Sequence, residues 1–199
     1  MNQNLDIKAI TLKMKQDSSK MAALSLETRN IILKNVKEAL LKNKEAIFEA
    51  NKMDMEAADE NGVTEAVKKR LKFDEGKLSD VTQGIEELIR LNDPIGKTQF
   101  KRQLDEGLVL HRVTCPIGVV GIIFEARPDA LVQISSLCIK SGNCAVLKGG
   151  KETTNTNRVL FHTIYQTAVE SGAPEGCMYQ AQLHSEIDEL LACHKSVDL

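Results

Sequence analysis

Nowhere in this chain does an apolar run approach the ~20 residues of a membrane span. Its first residues, MNQNLDIKAI, lack the basic-then-apolar order of a secretory signal. Charge of one sign is not in excess either: 26 Lys and Arg stand against 28 Asp and Glu. That balance gives no reason to expect nucleic acid or a strongly acidic partner, and the charges are scattered along helices rather than massed into a patch. The five cysteines, Cys115, Cys138, Cys144, Cys177 and Cys193, are odd in number, widely spaced and form no C-x-x-C pair. Neither a zinc site nor a disulfide framework is indicated, and a reducing cytoplasm is the expected setting. The four histidines, His111, His162, His184 and His194, show no metal-ligand spacing, so no metal is expected. What is there is 199 residues, 42% of them hydrophobic, enough for one sizeable domain or two small ones with a real core.

Up to about Leu91 the pattern is helix after helix. Ser25 can cap a segment whose apolar positions Ile32, Val36, Ala39 and Leu40 recur at helical spacing. Asn43 can cap the next, which runs out at Asn61-Gly62. Thr64 starts a short helix with Val67 and Leu71, and Asp74 another with Leu78, Val81, Ile85, Leu88 and Ile89 on one face. That stripe is read as core packing. Asn92-Asp93-Pro94-Ile95-Gly96 then breaks the pattern. Phe100 to Leu104 and Leu108 to Thr114 alternate like strands around the hairpin residues Asp105-Glu106-Gly107. Pro116 places this pair at an edge or outside the main sheet.

From Ile117 the rhythm changes again. Gly118 to Phe124 is a short apolar run of the kind buried on both faces of a parallel sheet. Pro128 and Asp129 suit the first turn of a helix that carries Leu131, Ile134, Leu137 and Cys138 and ends at Ser141-Gly142-Asn143. Cys144 to Leu147 is the next strand, and Gly149-Gly150 leads into a helix with Val159, Leu160 and Ile164 that ends near Gly172. Cys177 to Leu183 reads as a third strand, Ser185-x-x-Asp188 resembles a capping box before Leu190 and Leu191, and Ser196 to Leu199 a fourth strand beginning. This is the rhythm of a doubly wound α/β fold with a parallel sheet. The expected divisions are a helical region over 1–95, a hairpin arm over 96–116 and a partial nucleotide-binding sheet over 117–199. A domain rarely stops inside a buried strand, so truncation near Leu199 is expected.

In open α/β sheets ligands bind at the carboxyl ends of the strands. Two such ends stand out. Phe124-Glu125-Ala126-Arg127-Pro128 puts an arginine fork before a helix N-terminus, where it can clamp a carboxylate or phosphate; a surface Arg–Glu pair or a helix-capping contact explains the same residues. Lys148-Gly149-Gly150-Lys151-Glu152 offers a point charge and backbone N–H groups that an anion can approach; an ordinary turn with solvated lysines does as well. Neither G-x-x-x-x-G-K-[ST] nor a strand followed by G-x-G-x-x-G is present. No cysteine has a base within its own motif, so none is evident as a nucleophile, and Cys138 and Cys144 read as small core residues.

The run from Cys115 to Pro128, CPIGVVGIIFEARP, and its continuation from Leu137 to Glu152, LCIKSGNCAVLKGGKE, resemble the γ-glutamyl phosphate reductase (glutamate-5-semialdehyde dehydrogenase) family of the aldehyde dehydrogenase superfamily. Asn51-Lys52-Met53-Asp54 is similar to that family as well. The resemblance implies NADPH as cofactor, L-glutamyl 5-phosphate as substrate, reduction to L-glutamate 5-semialdehyde in proline biosynthesis, and a cysteine thiolate that attacks the acyl phosphate. It places Lys148 at the adenosine ribose or its phosphate, Gly149, Gly150 and Glu152 at the turn beside it, and Ile123 and Phe124 at the strand end beneath the cofactor. Glu125 and Arg127 fall near the reacting end of the cleft, as substrate-binding residues. Ala126 stands where the wider superfamily has an oxyanion-holding Asn. None of the five cysteines lies in the family's nucleophile motif, so the chain is expected to carry the cofactor side alone. By the same analogy a homodimer built on the hairpin, and glutamate 5-kinase, are the partners to look for. The alternative is a non-catalytic nucleotide-binding or interaction module, or an inactive fragment, derived from this fold.

Overall fold

A computed structural model describes residues 6–199. Five helices come first: α1 (Ile7–Ala23), α2 (Leu26–Lys42), α3 (Lys44–Glu60), α4 (Glu65–Leu71) and α5 (Glu75–Arg90). Their starts follow from short polar side chains. Asp6 accepts from Lys8 N and Ala9 N, Ser25 from Thr28 N and Asp74 from Lys77 N. Asn43 departs from expectation: its Nδ2 donates back to Ala39 O at 3.0 Å, so it closes α2 and caps no N–H of α3. Asn61-Gly62 ends α3 as expected, with Gly62 at φ +65.

The hairpin pairs β1 (Thr98–Asp105) antiparallel with β2 (Leu108–Val113) in a two-stranded sheet of its own, exposed at every residue. Its base is closed by Gly96 N to Thr114 O at 2.9 Å and Thr114 N to Lys97 O at 3.0 Å. The main sheet is parallel, ordered β3 (Val119–Ile123), β4 (Cys144–Lys148), β5 (Met178–Gln180). Crossovers α6 (Pro128–Lys140) and α7 (Thr154–Glu170) pack on each other, and α8 (His184–Leu191) packs on α1. The doubly wound expectation holds. One apolar core joins Ile32, Leu33 and Leu40 of α2 to Val119, Val146, Leu131 and Leu160 around the sheet.

Four local expectations need correction. β3 is buried only at its start, for Ile123 is 64% exposed. Leu137 is exposed rather than part of the α6 stripe, since Leu131, Val132, Cys138 and Ile139 already fill the buried face. β5 is three residues long, because Cys177 sits in a 3-10 turn and the chain leaves the sheet after Ala181 N bonds Leu147 O at 2.9 Å. The carboxylate that closes the start of α8 is Glu186, which accepts from Gln182 N at 2.6 Å and from Leu183 N; the expected pair was Ser185 and Asp188.

Residues 197–199 lie along the free edge of β3 without a regular ladder. Asp198 N donates to Val119 O at 2.8 Å and Gly121 N to Leu199 O at 2.7 Å. Asp198 also accepts Val119 N at 2.9 Å and Lys15 Nζ at 2.5 Å, which ties this segment to α1. After two crossovers in one direction the chain has therefore returned to the other side of β3. Strand order switches there, which is where an open α/β sheet leaves a crevice at its carboxyl ends.

Candidate functional site

Register brings the two sequence blocks to one rim. Ile123 lies abreast of Lys148 and Leu147 abreast of Gln180, so β3, β4 and β5 end together. Phe124 N donates to Lys148 O at 2.9 Å, which carries the alignment one residue past the strand. Lys148 is buried, 6% exposed, and its Nζ donates to Gly149 O at 2.7 Å.

Gly149 and Gly150 are held by packing. A Cβ on Gly149 would strike Asn157 Nδ2 and lie 3.0 Å from the Phe124 ring; one on Gly150 would meet Ala126 N and Cβ at 2.9 Å. This closeness clamps the β4 turn to the β3 turn. The start of the following helix is filled from within. Asp54, buried on α3, accepts from Thr156 N at 2.8 Å, Thr156 Oγ1 at 2.6 Å, Asn155 N at 3.2 Å and Asn155 Nδ2 at 2.9 Å. A carboxylate of the chain thus already occupies the positive end of α7. Asn51 supports it, donating to Leu71 O at 2.8 Å and Thr156 Oγ1 at 3.2 Å.

At the β3 end the charges pair in a way the sequence did not foretell. Glu125 is exposed and meets Arg70 of α4, Nη1 to Oε2 at 3.0 Å. Arg127 turns back to Asp129 at 3.2 Å, where Lys77 of α5 also arrives at 3.1 Å. Burial pushes the Asp129 carboxyl up, but Lys77 and Arg127 outweigh it and hold the group below its ordinary value. Half of the Arg127 side chain remains exposed, so it can exchange this partner for a ligand. A recess of 290 Å³ beside it is lined by Val67, Arg70, Glu125, Ala126, Gly150 and Glu152, joining both blocks. A larger groove of 960 Å³ runs between α2 and α7, away from the strand ends, and has no link to this chemistry beyond Arg158.

Sequence reasoning missed Arg70, Asp54 and Asn157. Arg70 sits in a Lys-Lys-Arg run that looks like solvated surface, and Asp54 reaches across 102 residues to Thr156. Asn157 carried no signal at all: 2% exposed, it donates to Thr153 Oγ1 at 2.9 Å and leaves its own Oδ1 without a partner among the described residues. An orphaned buried acceptor is what a site made for a polar ligand leaves open. Together with the Lys148 donor it fits the hydroxyl-rich, anionic half of a nucleotide cofactor. Among the described residues no cluster of His, Cys, Asp and Glu could hold a metal ion, and no helix is long and apolar enough to cross a membrane.

No protein-family model matches the chain. Curated proteins do. It is 47% identical over 195 residues to a γ-glutamyl phosphate reductase of Ruminiclostridium cellulolyticum, covering 98% of this chain and 45% of that one. It is 40% identical over 200 residues to one from Methanosarcina barkeri, covering 98% and 44%. The crystal structure of γ-glutamyl phosphate reductase from Saccharomyces cerevisiae superposes with a TM-score of 0.90 at 36% identity, over 96% of this chain and 49% of that one. A probable aldehyde dehydrogenase from Listeria monocytogenes, at 17% identity and a TM-score of 0.71, shares the fold. The chain spans about 45% of the length of the curated relatives it matches. The resemblance carried by the E-A-R-P and K-S-G-N blocks is borne out over nearly the whole chain.

Proposed function

We propose that this chain is the N-terminal, cofactor-side part of a γ-glutamyl phosphate reductase, the enzyme that turns L-glutamyl 5-phosphate into L-glutamate 5-semialdehyde in proline biosynthesis. The observation that carries the reading is Lys148, a buried ammonium at the rim of the sheet with a backbone carbonyl as its only protein partner among the described residues. A cation kept out of water without a carboxylate invites an anionic ligand. NADPH, when bound, supplies the hydride of the reaction. This chain's own part is to hold and orient. Lys148, Gly149, Gly150 and Glu152 take the adenosine end, while Ile123 and Phe124 form the floor. Glu125 and Arg127 face the substrate, with Arg127 as the clamp for its carboxylate or phosphate.

None of the five cysteines serves as the nucleophile in this reading. Burial pushes the thiols of Cys138 up to about 11 and of Cys144 and Cys177 up to about 12, so thiolate is scarce near neutral pH. Cys193 is also buried, with Sγ on Glu189 O at 3.2 Å, and Cys115 is exposed behind the hairpin. Chain segments that the longer relatives possess would complete the reaction, and the exposed apolar hairpin would serve a homodimer.

NADPH fluorescence titration of the chain tests this. Weak but saturable binding is expected, reduced about tenfold or more by Lys148→Met, with no NADPH oxidation when L-glutamyl 5-phosphate is added. Unchanged binding in the variant would remove Lys148 from the cofactor site. Turnover by the chain alone would mean that one of the five cysteines is the nucleophile.

A further inference from the structure

The charges at the start of α6 do not balance. Asp129 is buried and takes both Lys77 Nζ, at 3.1 Å, and Arg127 Nη2, at 3.2 Å, on the same oxygen, Oδ2. Among the described residues no other carboxylate oxygen receives two cations. The three groups come from different parts of the chain: Lys77 from the first turn of α5, Arg127 from the turn after β3, Asp129 from the first turn of α6. Other acids close by are already engaged. Asp74 meets Lys72 Nζ at 2.8 Å and Lys77 N at 3.0 Å, and Glu125 meets Arg70. The cluster of Lys77, Arg127 and Asp129 therefore carries one positive charge in excess, beside the end of β3. Its donors are not spent either. Each cation gives its side-chain N–H to Asp129 and to no further acceptor among the described residues, and both side chains reach solvent.

Two cations that share one buried anchor stand side by side, held in place without being neutralised. A guanidinium fork matches the two oxygens of a carboxylate, and an ammonium adds a point charge with donors that rotate to suit. One excess charge balances a carboxylate, whereas a phosphoryl group carries about two and would stay partly uncompensated. We propose that Lys77 and Arg127 together bind the α-carboxylate of the glutamyl substrate, with Asp129 fixing both cations beneath it. Lys77 is thus a substrate-binding residue supplied by the helical region, and the phosphoryl end of the substrate points away from α6. The proposal rests on the reductase reading and decides which end of the substrate this cluster takes.

L-Glutamine and L-isoglutamine are isomers that separate the two ends. The first keeps the α-carboxylate and has a neutral amide at the γ end; the second has the reverse. Each is titrated into the isotope-labelled chain while the Arg127 guanidinium and Lys77 side-chain signals are followed by NMR. L-Glutamine should bind saturably and shift both signals, about tenfold or more tightly than L-isoglutamine, the scale of one charge-assisted contact. Lys77→Met should weaken L-glutamine by a similar factor and Lys77→Arg should restore most of it, with a circular-dichroism melt verifying that both variants fold. Unchanged affinity in Lys77→Met would remove Lys77 from the site. Equal binding of the isomers, or preference for L-isoglutamine, would overturn the assignment of the α-carboxylate. No shift from either isomer, in a chain that still binds NADPH, would overturn the proposal and leave the cofactor-side reading intact. Failure to bind NADPH, with the preference for L-glutamine present, would fall on that reading instead.

Discussion

Gly149 and Gly150 follow Lys148 where a side chain has no space, because Phe124 and Ala126 from the β3 turn press against them. Freedom of the backbone is not the reason, since neither has a positive φ. Gly149→Ala should therefore destabilise the chain by about 1–3 kcal/mol, the usual cost of overpacking. Urea unfolding measures it; a midpoint unchanged within error would show that the Phe124 ring swings away freely. At this scale the sequence was half legible. Lys148 and Arg127 could be placed at strand ends, because buried strands and helix starts have recognisable patterns. Their partners could not. Arg127 meets Asp129 two residues on, while Glu125 meets Arg70, which is 55 residues away on another helix. Nothing in spacing announces such a pairing.

Among the elements, the hairpin stands apart. Phe100, Leu104, Leu108, Leu110 and Val113 are all exposed, and the hairpin's base is closed by bonds at Gly96, Lys97 and Thr114 that do not depend on its tip. Replacing residues 98–113 by a short Gly-Ser bridge should leave the unfolding free energy within ~0.5 kcal/mol, as expected where little is buried. Sedimentation velocity should then show only monomer, whatever the parent chain forms. A large loss of stability would mean that the hairpin packs on the body. Long amphipathic helices and the hairpin were readable because their periods persist over many residues. Short elements were not: β5 spans only three residues, and α8 is closed at its start by Glu186, two residues before the Asp188 of the Ser185-x-x-Asp188 pattern. In both places tertiary contacts decided the boundary.

Over the whole molecule, buried or half-buried aspartates act as ties between distant segments. Asp17 accepts from Gly176 N, Asp93 holds Arg29, Asp129 joins α5 to α6, and Asp198 binds α1 to the edge of β3. All four carboxyls sit below their ordinary value of 3.8. The Lys20 ammonium leads at Asp17 and the Lys15 ammonium at Asp198. At Asp93 and Asp129 burial acts in the opposite direction and is outweighed, by Ile95 N–H and Arg29 at the first and by Lys77 and Arg127 at the second. A carboxyl with a depressed folded-state value binds fewer protons folded than unfolded near pH 3.8, so its stabilisation is complete above that pH and is lost as pH falls below it. Acid unfolding should steepen below about pH 4, and Asp129→Asn should flatten part of that slope; an unaltered profile would count Asp129 out. Asp54 carries a different consequence. By filling the start of α7 from within, it makes the chain its own ligand at a helix end where sulfate or inorganic phosphate would otherwise lodge. Buffer anions therefore have no purchase there, and only a chain stripped of that carboxylate would gain stability from their binding at that end.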